Sequence, residues 1–361
     1  MNDINRRRLL CGALRIMAGT ASMSLASRAG ASTREPSVAT ERNVAASPPR
    51  VTFLSPEAAA AALAVDRYYD GMDMLDVRAR VKRSLPATSL PDARAAVRDY
   101  EAGATLPFTD DERTAIRSVI ERMQALLAAR APLYARTPWS FIKLDDRAEG
   151  GLPHTRGSHI VLPSSTVEKY ARRHQEMRSN GTLATSPRGR NLLLHEQTHV
   201  LERTNPLLFD TLIVDAFGFT RMTPAPATPW LTAHAVINPD GPDVVWAFDL
   251  AQVGGVGWIM PDLIFADVPD PRMPEDFQTV GIDVAKTPDG WKIVEENGQP
   301  QRRDLSKIPG FDAFFPFPDQ DFHPNEIAAE ALSHWILQDP HDVDERPRMA
   351  AVAAWAEWAL A

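Results

Sequence analysis

Cysteine is almost absent from this chain. Of 361 residues, only Cys11 carries a thiol. A framework of disulfides and a thiolate metal site are thereby excluded, and any metal ion must be held by histidine and carboxylate. Basic tracts are lacking too. The net charge is −8 and no RNA-binding motif is present, so nucleic acid is excluded as the expected partner. There is no internal repeat. There is also no unbroken apolar run of spanning length, because Arg15 and many Ala, Gly and Ser residues interrupt the stretch from Leu9 to Ser27. The composition left is that of an ordinary globular protein, 44% hydrophobic and 24% charged.

The N-terminus departs from that composition. Asn5-Arg6-Arg7-Arg8-Leu9-Leu10 precedes the weakly apolar stretch, and Ala29-Gly30-Ala31 follows as an A-x-A site. This resembles a bacterial twin-arginine export signal. It implies an exported protein, periplasmic or secreted after cleavage near Ala31, with no stable membrane span in the mature chain. Cleavage would remove five arginines and one aspartate, taking the net charge from −8 to −12, and would remove Cys11.

Residues 1–31 are therefore read as signal and residues 32–50, rich in Ser, Ala and Pro, as linker. Residues 51–135 are expected to be a helical N-terminal region serving as a pro-region, a lid or a wall. Ser55-Pro56, Ser89-Leu90-Pro91 and the box Thr109-Asp110-Asp111-Glu112 start its helices. Residues 136–361 are expected to form the catalytic region. Strands are predicted at Trp139–Leu144 and Ser158–Leu162, and a helix at Ser165–Arg178. A β-rich insertion is predicted at about 236–322, containing a hairpin turn at Thr287-Pro288-Asp289-Gly290.

His195-Glu196-Gln197-Thr198-His199 lies within an apolar helical stretch. Residues four apart share a helix face, so two imidazoles at this spacing can bind one metal ion. The intervening glutamate can serve as general base to a metal-bound water. A third ligand is needed. The metzincin pattern fails, since Glu202 and Asn205 stand where its glycine and histidine belong. A carboxylate remains, and Glu326, Glu330 and Glu202 are the candidates.

Asn325-Glu326-Ile327-Ala328-Ala329-Glu330, together with HExxH, resembles the gluzincin class, the thermolysin-like zinc metallopeptidases. The resemblance covers residues 191–203 and 323–335. It implies Zn2+ held by His195, His199 and Glu326, Glu196 as general base, and Glu330 orienting a ligand histidine in place of the family's aspartate. It implies an α+β, mainly helical zincin-like metallohydrolase. An edge-strand sheet would precede the HExxH helix, with the β-rich insertion between the two motif helices. The expected substrate is a peptide or protein. A non-peptide amide or ester is the alternative substrate, and a catalytically silent binding or scaffold protein the alternative function.

Gly151–Pro163 is read as the cleft-edge segment that would pair with an extended peptide. His154 and His159 are its candidate substrate or oxyanion contacts. His234, His323, His334 and Tyr170 complete the pool of oxyanion donors. The tryptophans are read as packing residues, and Asp210 and Asp215 as surface or capping groups.

Overall fold

A computed structural model describes residues 48–81, 89–180, 187–241, 244–315, 317, 320–337 and 347–361. The export segment, Cys11, the cleavage point at Ala31 and most of the linker lie outside these residues. No helix among the described residues is long and apolar enough to cross a membrane.

Side-chain caps start the N-terminal helices where the sequence places them. Ser55 accepts from the Ala58 amide ahead of Pro56–Ala64, and Ser89 from the Asp92 amide ahead of Leu90–Ala102. Thr109 and Glu112 cap one another's backbone N–H groups at the start of the 21-residue helix Asp110–Arg130. The fold is mixed α+β.

Ahead of these helices lies a short strand, β1 (Val51–Phe53). It pairs in parallel with β2 (Trp139–Leu144), binding the N-terminal region into the first sheet. β3 (His154–Arg156) and β4 (His159–Pro163) follow, and the sheet order is β1-β2-β4-β3. Alternation along β2 serves two cores. Trp139 and Phe141 join the main core, while Ile142 and Leu144 join a second cluster with Ala59 and Leu63. The predicted strand Ser158–Leu162 is therefore internal, and the three residues of β3 form the edge.

A helix at Ser164–Asn180 leads to the HExxH helix, Pro187–Thr204. The second sheet is antiparallel and begins earlier than the expected residue 236. β5 (Phe219–Arg221) pairs with β6 (Trp246–Asp249), because Phe219 and Phe248 bury together against the main core. β7 (Trp258–Phe265), β8 (Phe277–Thr287) and β9 (Gly290–Ile293) continue it, with Thr287 and Gly290 facing one another across the predicted turn. β10 (Glu295–Glu296) and β11 (Gln299–Pro300) make a small ladder, and β12 (Arg302–Asp304) closes the sheet against β8. The chain then reaches the helix Pro324–Leu337, which lies against the HExxH helix, and ends in Pro347–Ala359.

Two buried arginines tie the N-terminal helices to the cleft. Arg156 of β3 bonds Asp66 at 2.8 Å and Glu101 at 3.0 Å, and Tyr69 donates to Glu101 at 2.7 Å. Arg80 bonds Asp76 at 2.9 Å and also Glu149, whose backbone is left-handed at φ 49°. Burial opposes the charge on Glu149, but Arg80 overcomes it and holds the carboxyl down at about 2. The N-terminal region is thus joined to the edge strand by buried charge.

Burial pushes Asp262 of β7 up to about 7, countered only by the Leu263 amide. The unfolded chain ionises such a group first, near its ordinary value of about 4, so its cost grows with pH until the folded group ionises as well. Stability is expected to fall between about pH 4 and pH 7 through this residue. Asp262→Asn should flatten that slope in urea titrations, and an unchanged slope would remove Asp262 as its source.

Candidate metal centre

His195 and His199 stand one turn apart on the HExxH helix, their rings 4.9 Å apart and nearly perpendicular. Glu326 reaches them from the first turn of Pro324–Leu337. The two Nε2 atoms are 3.2 Å apart, and Glu326 Oε2 lies 3.3 Å from His195 Nε2 and 3.6 Å from His199 Nε2.

Carboxylates settle the protonation of both rings. Glu330 Oε2 faces His195 Nδ1 at 3.3 Å, and Glu202 Oε2 faces His199 Nδ1 at 2.9 Å. A carboxylate accepts and does not donate, so the proton of each neutral ring belongs on Nδ1. With the rings neutral, both Nε2 lone pairs face the Glu326 carboxylate oxygen across one point, where a metal ion can take all three atoms. Ligand atoms about 2.0–2.1 Å from a tetrahedral ion stand about 3.3–3.4 Å apart. The three observed separations bracket that value, and His195, His199 and Glu326 form a group that could hold a metal ion.

Glu202 and Glu330 serve the histidines and are not members of that group. Glu330 is itself fixed by Asn191 Nδ2 at 3.3 Å and His334 Nε2 at 2.8 Å. Asn238 and Asn325 donate to Glu326 Oε1 at 2.8 and 3.3 Å, which leaves Oε2 to face the histidines. The local field is strongly negative. Burial lowers the His195 pKa, yet the bonds to Glu326 and Glu330 outweigh it and hold the metal-free ring up at about 10. Glu202→Gln is expected to weaken metal binding about 10–100-fold, measured by competition with a chromophoric chelator. Equal affinity would mean that Glu202 does not orient His199.

Glu196 is buried and lines the same cavity, of about 450 Å3, as His195 and Glu326. Thr155 of β3 donates its hydroxyl to Glu196 Oε2 at 3.0 Å. Burial, and after it the charge of Asp240, pushes Glu196 up to about 8. Asp240 accepts the Thr155 backbone N–H. Thr155, Asn238 and Asp240 are absent from the sequence-based site. Asn238-Pro239-Asp240-Gly241 reads as a plain turn, and only the fold shows that it sits over the two motif helices.

The other predicted contacts scatter. His159 bonds Ser140 at 2.8 Å and does not line the cavity. His234 stacks on Trp230, and His323 lies between Asn325 and the Val244 carbonyl. Of the proposed oxyanion donors only His154 and Tyr170 line the cavity, and each has committed its proton. Tyr170 donates to the Gly189 carbonyl at 2.6 Å. The Leu152 carbonyl, 3.1 Å from His154 Nδ1, requires the proton there, and burial lowers the pKa of this ring. His154 Nε2 is therefore a lone pair and not a donor. Asp210 is a surface partner of Arg221.

No family model matches the chain, and neither a curated protein nor a solved structure matches it.

Proposed function

We propose that the chain is an exported, zinc-dependent hydrolase of peptide bonds with a zincin-like catalytic region. One observation carries the proposal: two Nε2 atoms and one carboxylate oxygen converge at tetrahedral spacing, with a buried glutamate beside the first histidine in the same cavity. All ligands are nitrogen or carboxylate oxygen, a donor set that suits zinc. A zinc ion held there supplies Lewis acidity, polarising the substrate carbonyl and making water acidic near neutral pH.

The remaining roles belong to side chains. Glu196 takes a proton from water as the water oxygen bonds to the carbonyl carbon, and returns it to the amine nitrogen as the C–N bond breaks. Thr155 fixes the Glu196 carboxylate, while Glu202 and Glu330 keep the imidazole protons on Nδ1. A scaffold that merely held metal would not need Glu196. Export rests on the run Arg6-Arg7-Arg8-Leu9-Leu10 and the Ala29-Gly30-Ala31 site.

Elemental analysis of the purified mature chain, paired with mass spectrometry of a peptide mixture, tests this reading. The expected result is one zinc per chain, with cleavage that is lost to a chelator and restored by zinc. Bound zinc without cleavage would overturn the peptidase assignment, and failure to bind zinc would overturn the metal centre.

A further inference from the structure

We infer that this site cuts the first peptide bond of a chain with a free amino terminus, and that the substrate's α-ammonium group is held by Oδ2 of Asp240. The inference rests on the hydrolase reading above and names its substrate class.

The edge strand is closed beside the candidate base. β3 has β4 on one side only, and Thr155 directs its backbone N–H away from β4, where an added strand would bond. Asp240 Oδ1 takes that N–H, while the Thr155 hydroxyl holds Glu196. One residue thus joins the two carboxylates. The turn that carries Asp240 is itself fixed. The Asp240 amide donates to Asn238 Oδ1 at 2.9 Å, its carbonyl accepts from Asn325 at 3.0 Å, and Arg203 bonds the neighbouring Pro239 carbonyl. A substrate backbone lying along β3 cannot continue past this turn, so one end of the substrate stops beside Glu196. The charge at the turn decides which end that is.

That charge is negative. Asp240 is 9% exposed and lines the cavity with Glu196 and Glu326. Its Oδ2 has no hydrogen-bond or ion-pair partner among the described residues and remains accessible. Neither arginine that touches the turn is paired with it. Arg203 bonds the Pro239 carbonyl, and Arg80 bonds the Ile237 carbonyl at 2.7 Å while meeting Asp76 and Glu149. Burial opposes the charge on Asp240, so a cation arriving at Oδ2 is favoured. A second acceptor stands beside it. His154, next to Thr155 on β3, is 2% exposed and lines the same cavity, and its Nε2 lone pair is buried without a partner. Two unmatched acceptors suit an ammonium group, which has only donors. The charge balance agrees. A bound zinc ion would bring two positive charges, against three negative ones on Glu326, Glu196 and Asp240, and one ammonium completes the balance. Leu152, Val236, Met273 and Phe277 belong to an apolar cluster that also lines the cavity and gives the first side chain an apolar surface. A lysine side chain is the competing source of the same ammonium chemistry.

Binding can be tested without turnover, by calorimetry on the zinc-loaded wild type with ketomethylene analogues, in which a methylene group replaces the peptide nitrogen and the bond cannot be hydrolysed. The probes are the Leu-Ala analogue with a free amine, the same analogue N-acetylated, and the N-acetylated Lys-Ala analogue. The free amine is expected to bind at least about tenfold more tightly than its acetylated form, in keeping with the worth of a hydrogen bond to a charged group. This comparison needs no variant. Asp240→Asn keeps an acceptor for the Thr155 N–H and should abolish the preference, while the affinity for the acetylated analogue stays unchanged and so reports an intact fold and metal centre. Equal binding of the two Leu-Ala analogues, or binding of the acetylated Lys-Ala analogue as tight as that of the free amine, overturns the inference. A preference that survives in Asp240→Asn, or an equal loss of affinity for both Leu-Ala analogues in that variant, overturns the role of Asp240. The two readings fail separately. Selective binding of the free amine with no hydrolysis of Leu-Ala peptides by the wild type would defeat the hydrolase assignment alone. Cleavage of N-acetylated peptides at internal bonds with no preference for a free amine would defeat the present one alone.

Discussion

Glu196→Gln is expected to lower kcat by about two to four orders of magnitude while leaving the zinc content at one per chain. Glutamine keeps the shape of the side chain, and its carbonyl oxygen can still accept the Thr155 hydroxyl, so neither packing nor the position of β3 should change. What is lost is the ability to take a proton. The ligands His195, His199 and Glu326 and their partners Glu330, Glu202 and Asn238 are untouched. The informative measurement is therefore a pair, activity and metal content on one preparation. Activity within tenfold of wild type would exclude Glu196 as the base. Loss of both together would mean that Glu196 supports the metal centre instead.

Arg156→Met should cost about 3–5 kcal/mol of stability, read from denaturant titration. The side chain is 2% exposed and serves two carboxylates. One of them, Glu101, is 1% exposed, and burial and the charge of Glu149 oppose its ionisation, which the Arg156 guanidinium favours. Without the guanidinium, Glu101 must either hold its charge in an apolar interior or bind a proton, and both are costly. Adding Glu101→Gln to Arg156→Met should recover part of the loss, because the stranded charge is then gone. A loss below about 1 kcal/mol, with no recovery in the double variant, would show that the edge strand does not depend on this network.

The legible parts of the molecule were those governed by short spacing. Ser55, Ser89 and Thr109 announce helix starts because a cap reaches only two or three residues along the chain. His195 and His199 are legible for the same reason, since four residues is one helical turn. The carboxylates show where this ends. Glu202 and Glu326 both look like possible third ligands, because helical spacing places Glu202 near His199 without saying which ring nitrogen it meets. In the structure it meets Nδ1, the wrong side for the metal. Asp240 and Thr155 were out of reach altogether. They are 85 residues apart, and their bond exists only because a turn from the second sheet's approach lies over the edge of the first. The start of the second sheet at Phe219 was missed for a related reason. A three-residue strand has too little alternation to read, and its pairing is set by aromatic packing with Phe248.

The distance between the two motif helices has a consequence for biosynthesis. Glu326 follows His199 by 127 residues and lies near the end of a chain of 361. A nascent chain holds both histidines long before the ligand that completes the set, and two imidazoles alone bind a divalent ion far less tightly than three donors already in place. If the centre binds a metal as proposed, strong capture must therefore wait until Pro324–Leu337 has docked against the HExxH helix. On the zinc reading proposed above, a product truncated before Glu326 should be recognisable by its inability to keep the ion.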